Sequence, residues 1–272
     1  MALHCVYTDL DGTLLGRGGS LFHDADGEFS MLQARALEAC HRAGAEVVIM
    51  SGRREAGVAR EAKLMGQRSY IYEAGCGAVL DGEKSYLTGA WTTGPEGETP
   101  YEQMFAAGAP DLLFERFGAE LELPEHWNSG RELSLLMIGR ADVAEANRRL
   151  HEAGHADLRF LDNGPVNTRV EALGDARAHA YHLVPGGASK ASGVAYHAGV
   201  RGYDRDTTIA VGDSLEDLDV ARAVGRFYLV ANGLDDARVA AAAAELGNVT
   251  ITEGSMGDGF YEAVVRTLAE QR

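Results

Sequence analysis

The sequence predicts an α/β chain: a doubly wound, Rossmann-like parallel sheet, interrupted by an inserted α+β unit and then resumed. Three observations predict it. Short apolar runs rich in β-branched residues ("CVY" from Cys5, "AEVVIM" from Ala45, "TTIAV" from Thr207) alternate with segments of helical periodicity, as buried parallel strands and their crossover helices do. The alternation breaks after residue 83, where "LTGAWTTGPEGETP" is rich in turn formers. It resumes after Pro185, Gly186 and Gly187. The chain is therefore expected to build a core from residues 1–83 and 187–272 and an insert from residues 84–186.

The elements follow in order. Cys5 to Tyr7 reads as a strand, and Ser30 to Gly44 as a helix with Ser30 at its start and Gly44 as its stop. The run to Met50 is a buried strand, Arg54 to Met65 a helix, and Ser69 to Tyr72 a further strand. In the insert the pattern predicts a helix over Tyr101–Phe117, a strand over Leu133–Ile138 and a helix over Asp142–Ala153. Three short strands follow, near Leu158–Leu161, Thr168–Leu173 and Ala178–Val184, the last two joined through "GDAR" as a hairpin. Beyond the junction "SKASGVAYHAGV" is helical, "TTIAV" is a strand, and Ala241–Glu245 is helix-forming.

Bulk properties narrow the function. In 272 residues, 46% of them hydrophobic, there is ample material for a core. Lys plus Arg number 25 against 41 for Asp plus Glu, a net charge of −16, so no nucleic-acid partner is expected. An anionic substrate would need local positive charge or a metal ion. No secretory segment and no run long enough to span a bilayer is present, so the expected partner is not a membrane and the expected location is cytoplasmic. Cys5, Cys40 and Cys76 lack metal-ligand spacing and read as reduced thiols that pack the core.

In open parallel sheets, ligands gather at the carboxyl ends of the strands. Four such places carry polar chemistry: Asp9 with Asp11, Ser51, Lys190, and Asp213 with Asp217. Carboxylates two residues apart raise each other's pKa unless a cation lies between them, which suggests that one binds a hard cation such as Mg2+ while the other is more easily protonated. Ser51 offers a hydroxyl, Gly52 and its neighbours backbone donors, and Lys190 the positive charge that the composition requires. His179 and His182 alternate with apolar neighbours and read as sheet residues rather than ligands.

The motifs "DLDGTLL", "MSGR", "GGASK" and "VGDSLED", in this order at these strand ends, resemble those of the haloacid dehalogenase superfamily of magnesium-dependent phosphatases and phosphomutases. The insert, placed between the second and third motifs, resembles the larger cap of the Cof-like and sucrose-phosphatase-like branch, shared by mannosyl-3-phosphoglycerate phosphatases. The resemblance implies that Asp9 is the nucleophile, forming an aspartyl-phosphate, and that Asp11 is the general acid and then base. It implies that Ser51 and Lys190 hold phosphoryl oxygens. Magnesium would be held by the Asp9 carboxylate, the Asp11 main-chain carbonyl and Asp213, with Asp217 close by. Thr13 would orient the nucleophile loop. At one place the sequence departs from the pattern: relatives commonly carry Asn where this chain has Glu216.

The remaining expectations concern the substrate. Arg53, next to the second motif, and Gly52 are expected to meet it, as is Gly75 in "EAGCG", where glycine permits close backbone approach. In the insert, "EHWNSGRE" offers His126, Trp127, Asn128 and Arg131, and "NTRVE" offers Asn167 and Arg169. The expected activity is hydrolysis of a small phosphorylated metabolite, a sugar phosphate or a sugar-linked phosphoglycerate; some phosphoglycolate phosphatases share the cap type. A phosphomutase would need a basic cluster for a second phosphate, whereas the insert's arginines are scattered. A phospho-accepting signalling module is the non-enzyme alternative, and Asp11 argues against it, because an acid/base group beside the nucleophile speeds loss of the phosphoryl group.

Overall fold

The computed structural model describes residues 2–166 and 168–270. Its first strand, β1 (Cys5–Thr8), is wholly buried. α1 (Leu32–Ala43) follows and ends at Gly44, whose left-handed backbone lets its N–H reach the carbonyls of Cys40 and His41. β2 (Glu46–Met50) lies parallel to β1, then α2 (Glu55–Leu64) leads to β3 (Tyr70–Tyr72), parallel to β2. The sheet then turns antiparallel. β4 (Gly77–Leu80) and β5 (Glu83–Tyr86) form a hairpin across Asp81 and Gly82, whose φ angles are 52° and 93°.

The insert has a sheet and an apolar core of its own. α3 (Pro100–Ala106) and α4 (Ala109–Phe117) replace the single helix expected there. The break falls at Gly108, with φ at 72°, and Pro110 then sits in the first turn of α4, where its missing N–H costs nothing. β6 (Leu121–Glu122), α5 (Glu125–Asn128), β7 (Leu135–Gly139), α6 (Val143–Glu152), β8 (Leu158–Pro165) and β9 (His179–Pro185) complete it. The four strands run β6-β7-β9-β8, each pair antiparallel. The hairpin expected through "GDAR" does not form. β8 extends to Pro165 and takes one edge of β9, β7 takes the other, and Glu171–Leu173 is left as a single 3-10 turn.

The chain returns to the large sheet through α7 (Lys190–Arg201), β10 (Thr208–Gly212), α8 (Leu215–Leu218), β11 (Arg226–Leu229), α9 (Ala237–Ala244), β12 (Val249–Ile251) and α10 (Met256–Glu270). The order is β12-β11-β10-β1-β2-β3-β4-β5, parallel from β12 to β3. Ala36, Val58 and Phe260 bring α1, α2 and α10 onto one face, while Val194, Leu218 and Val239 bring α7, α8 and α9 onto the other. The sheet is thus doubly wound, as the alternation of strands and helices predicts. The three cysteines are buried free thiols. Among the described residues no helix is long and apolar enough to cross a membrane.

At the amino edge of the sheet, Glu46 ties β2 to α7. Its carboxylate accepts from Ser69 Oγ at 2.7 Å, from Tyr203 OH at 3.0 Å and from Arg201 Nη2 at 3.1 Å, with His197 Nε2 at 3.5 Å. Burial works against the charge, but His197, Ser69 and Arg201 outweigh it and hold the carboxyl down at about 2. A folded-state pKa below the unfolded value stabilises above the unfolded pKa, and that stability is lost as pH falls through the folded one. Glu46→Gln is therefore expected to lower stability by roughly 1–3 kcal/mol at pH 7. Thermal unfolding followed from pH 7 to pH 3 should show this difference shrinking below about pH 4.5.

Candidate active site

β1 has β2 on one side and β10 on the other, so the crevice of the doubly wound sheet opens where these three strands end. Asp9 follows β1 directly, is 6% exposed, and is fixed by its N–H donating to the Val211 carbonyl at 3.0 Å. Lys190, the first residue of α7, is 2% exposed; its Nζ donates to Asp9 Oδ1 at 2.7 Å and to Asp217 Oδ1 at 2.8 Å. The other Asp217 oxygen accepts from Ser214 Oγ at 2.7 Å and from the N–H groups of Asp213 and Ser214. Gly212 is needed for this fit, because a Cβ there would lie 2.3 Å from Asp217 Cβ.

Asp213 is held from two sides, with Thr13 Oγ1 donating to Oδ1 at 3.0 Å and Asn232 Nδ2 reaching Oδ2 at 3.4 Å. Asn232 also donates to the Gly12 carbonyl at 2.9 Å, which pins the turn after β1. Oxygens of Asp9, Asp213 and Asp217 lie within 4.8 Å of one another. Burial pushes the Asp9 carboxyl up, Lys190 pulls it down, and Asp217 and Asp213 push it up again. Burial and the Asp217 carboxylate push Asp213 up to about 7. Burial alone would lower the Lys190 ammonium, but Asp217 and Asp9 hold it well above the usual lysine range. One lysine against three converging carboxylates leaves negative charge in excess, and an all-oxygen donor set suits a hard divalent cation. The cluster therefore fits a metal ion. Glu216 is not among the three residues whose oxygens converge there, and both its carboxylate oxygens are buried without a hydrogen-bond partner among the described residues.

Asp11 sits outside this buried group. Its side chain is half exposed and is gripped by Arg53, with Nε donating to Oδ2 at 2.7 Å and Nη2 to Oδ1 at 2.5 Å. Ser51, at the end of β2, accepts from the Arg53 N–H at 3.2 Å, so its own hydroxyl hydrogen stays available. Gly52 offers its carbonyl to Arg131 Nη2 at 2.9 Å, which brings the insert onto the loop after β2. A cavity of about 1240 Å³ lies between the two units, lined by Asp9, Asp11, Ser51 and Lys190 from one and by Trp127, Arg131 and His182 from the other.

Other expected positions lie apart from this group. Gly75 does not line the cavity; it makes its close approach to the backbone of Ser189, whose carbonyl oxygen would lie 1.9 Å from a Cβ, and so seats the start of α7. Arg169 is exposed and also absent from the cavity wall, and Asn167 lies outside the described residues. Asn128 is consumed by the main chain of Leu136 and Pro124. Glu73 passed unnoticed in the sequence. Fully buried, it accepts from the N–H groups of Glu132, Leu133 and Ser134 and from Ser134 Oγ, so one carboxylate anchors the insert to the strand end of β3. Its only sequence signal is an acidic residue in an otherwise apolar run, "YIYEAGCGAV". His182 also reaches the cavity wall, with its imidazole against Gly52.

Comparison with known proteins agrees with this geometry. Residues 166–254, which hold Lys190 and the Asp213–Asp217 turn, match the family model of the haloacid dehalogenase-like hydrolases. The chain is 36% identical over 88 residues to a phosphoglycolate phosphatase of Natronomonas pharaonis, covering 32% of this chain and 36% of that protein. It is 37% identical over 87 residues to one of Halobacterium salinarum, with 32% and 36% covered. The matched stretch is thus about a third of the length of these curated relatives. The likeness in fold spans the whole chain. The sucrose-phosphatase of Synechocystis sp. PCC6803, solved with sucrose and phosphate, superimposes with a TM-score of 0.70 at 14% identity, covering 98% of each chain. Thermoplasma acidophilum 0175 does so with 0.64 at 16%, also covering 98% of each. Residues 166–254 are thus similar in sequence to the haloacid dehalogenase-like hydrolases, and nearly the whole chain is similar in fold to these solved structures.

Gly12 tests how tightly the cluster is built. Its φ is 84°, and a Cβ would lie 2.5 Å from Asp213 Oδ2. Gly12→Ala is expected to displace that carboxylate and to weaken divalent-cation binding roughly tenfold or more, at a cost of about 1 kcal/mol in stability. Calorimetric titration of wild type and variant with Mg2+, beside their melting curves, checks both.

Proposed function

We propose that the chain is a magnesium-dependent phosphomonoester hydrolase acting on a small phosphorylated metabolite through an aspartyl-phosphate on Asp9. The observation that carries this reading is the buried Lys190 ammonium bridging Asp9 Oδ1 and Asp217. It holds one oxygen of Asp9 in place, while Oδ2 accepts no hydrogen bond from any described residue and is free to attack. A carboxylate used only for structure would have both oxygens engaged, as Asp217 does.

In the first step Asp9 Oδ2 attacks phosphorus, and the bond from phosphorus to the leaving oxygen breaks with its electron pair. Asp11, turned away from Arg53 and carrying a proton taken from solvent, gives that proton to the leaving oxygen, so an alcohol departs. In the second step Asp11, now a carboxylate, takes a proton from water as the water oxygen attacks phosphorus. The bond to Asp9 breaks, its carboxylate is regenerated, and inorganic phosphate is released. The Ser51 hydroxyl and the Lys190 ammonium face the phosphoryl oxygens through both steps. A magnesium ion held by Asp9, the Asp11 main-chain carbonyl and Asp213, with Asp217 beside them, would supply neutralising charge to the phosphoryl oxygens.

The substrate class we favour is a sugar phosphate or a sugar-linked phosphoglycerate. A cavity of about 1240 Å³ exceeds the ~300–1,000 Å³ usual for small-ligand sites and suits a leaving group of sugar size better than a two-carbon acid. Whole-length similarity in fold to a sucrose-phosphatase supports the same choice, whereas the similarity to phosphoglycolate phosphatases covers only 32% of the chain.

Two experiments test the mechanism. Phosphate release with Mg2+ across a panel of sugar phosphates and phosphoglycerates is expected from wild type and to fall at least about 10³-fold in Asp9→Asn; retained turnover in that variant would sink the nucleophile assignment. Excess chelator is expected to silence the enzyme and added Mg2+ to restore it, so full activity in chelator rules out the metal requirement.

A further inference from the structure

Arg54 stands out among the cations of the cavity. Lys190 faces Asp9 and Asp217, Arg53 faces Asp11, Arg238 faces Asp162 and Asp236, and Arg131 has Glu73 at 3.8 Å. Arg54 lines the same cavity, half-buried, and no carboxylate among the described residues pairs with it. Its Nη1 donates to the main-chain carbonyl of Ser129 in the "EHWNSGRE" loop, and its remaining donors have no partner among the described residues. Arg131 comes from the same loop, and Arg54 is near enough for its charge, after burial, to push the Arg131 guanidinium down. Two guanidiniums that are far apart in the sequence thus stand together, directly before the first turn of α2. In a chain of net charge −16 such a spot attracts an anion.

That anion is not the transferred phosphoryl group, which the mechanism above assigns to Lys190 and Ser51. We propose that Arg54, backed by Arg131, forms a subsite for a second anionic group carried by the leaving-group portion of the substrate, a carboxylate or a second phosphate. The inference rests on the hydrolase reading above and narrows it to substrates charged at both ends. The planar guanidinium, with one edge engaged by Ser129, keeps donors for a two-point contact to an oxyanion, which an ammonium cannot match.

The test compares kcat/KM on the full chain with Mg2+ for three probes. These are glucose 6-phosphate, whose leaving group is neutral; 3-phosphoglycerate, which carries a carboxylate; and fructose 1,6-bisphosphate, which carries a second phosphate. The ratio of each charged probe to the neutral one is independent of how much of a variant is folded. Arg54→Gln is expected to lower that ratio about 10- to 100-fold, mainly through KM, for whichever group the subsite takes, and Arg54→Lys to recover part of it. If both ratios stay within about twofold of wild type in Arg54→Gln, the subsite is overturned while the hydrolase reading stands. Failure of wild type to release phosphate from any probe or from the wider panel overturns the hydrolase reading and the subsite together.

Discussion

Everything at this site depends on a lysine ammonium buried between two carboxylates. Taking three charges out of water costs several kcal/mol per ion, and their attraction offsets this only when the geometry is good and the remaining oxygens are satisfied. The surrounding structure meets that condition. Ser214 and two backbone N–H groups complete Asp217, and Ser189 caps α7 so that its first residue is Lys190. Gly75 gives way to the Ser189 backbone, and Gly212 to the body of Asp217. The sheet supplies the common frame, because β1 and β10 are neighbours in register, with Thr8 beside Val211, and Asp9 and Asp213 leave it side by side.

The same arrangement gives the first two aspartates different surroundings. Asp9 is sealed in with the lysine, while Asp11 stands half exposed at the rim against Arg53. Alternation along an extended segment suggests two carboxylates on one side of the chain, and the turn at Gly12 separates their surroundings. The proposed mechanism uses this difference, because acid/base work asks for a wet and movable group and nucleophilic work for a dry and fixed one.

Much of this was legible in the sequence, and the reason differs by residue. Strand ends with polar residues announce themselves, so Asp9, Ser51 and Asp213 stand out against apolar runs, while Lys190 shows as the basic residue that opens the helix beyond the Pro185–Gly187 junction. The β4–β5 hairpin was missed: Asp81-Gly82 suits a two-residue turn with positive φ at both positions, but "EKSY" has no strand-like apolar pattern because β5 is mostly exposed. The false hairpin at Thr168–Leu173 shows the limit of local pattern: whether a β-prone run pairs depends on whether an edge is free, and both edges of β9 are taken. Glu73 and Arg54 were illegible for a related reason. Their meaning lies in partners about 60 and 75 residues away, and nothing in a lone acid or a second arginine names those partners.

Glu73 also bears on how far the two units are independent. Its carboxylate is fully buried, and all of its hydrogen-bond donors come from the insert, while the Gly52 carbonyl likewise looks to the insert for its guanidinium. A distortion of residues 132–134 that withdrew these donors while the carboxylate stayed covered would leave a buried charge unsatisfied, a loss of roughly 3–5 kcal/mol and comparable to much of a domain's net stability, on the order of 5–15 kcal/mol. The insert is therefore no detachable accessory. Through Glu73 the end of β3 passes any distortion of residues 132–134 on to the large sheet as a cost in stability.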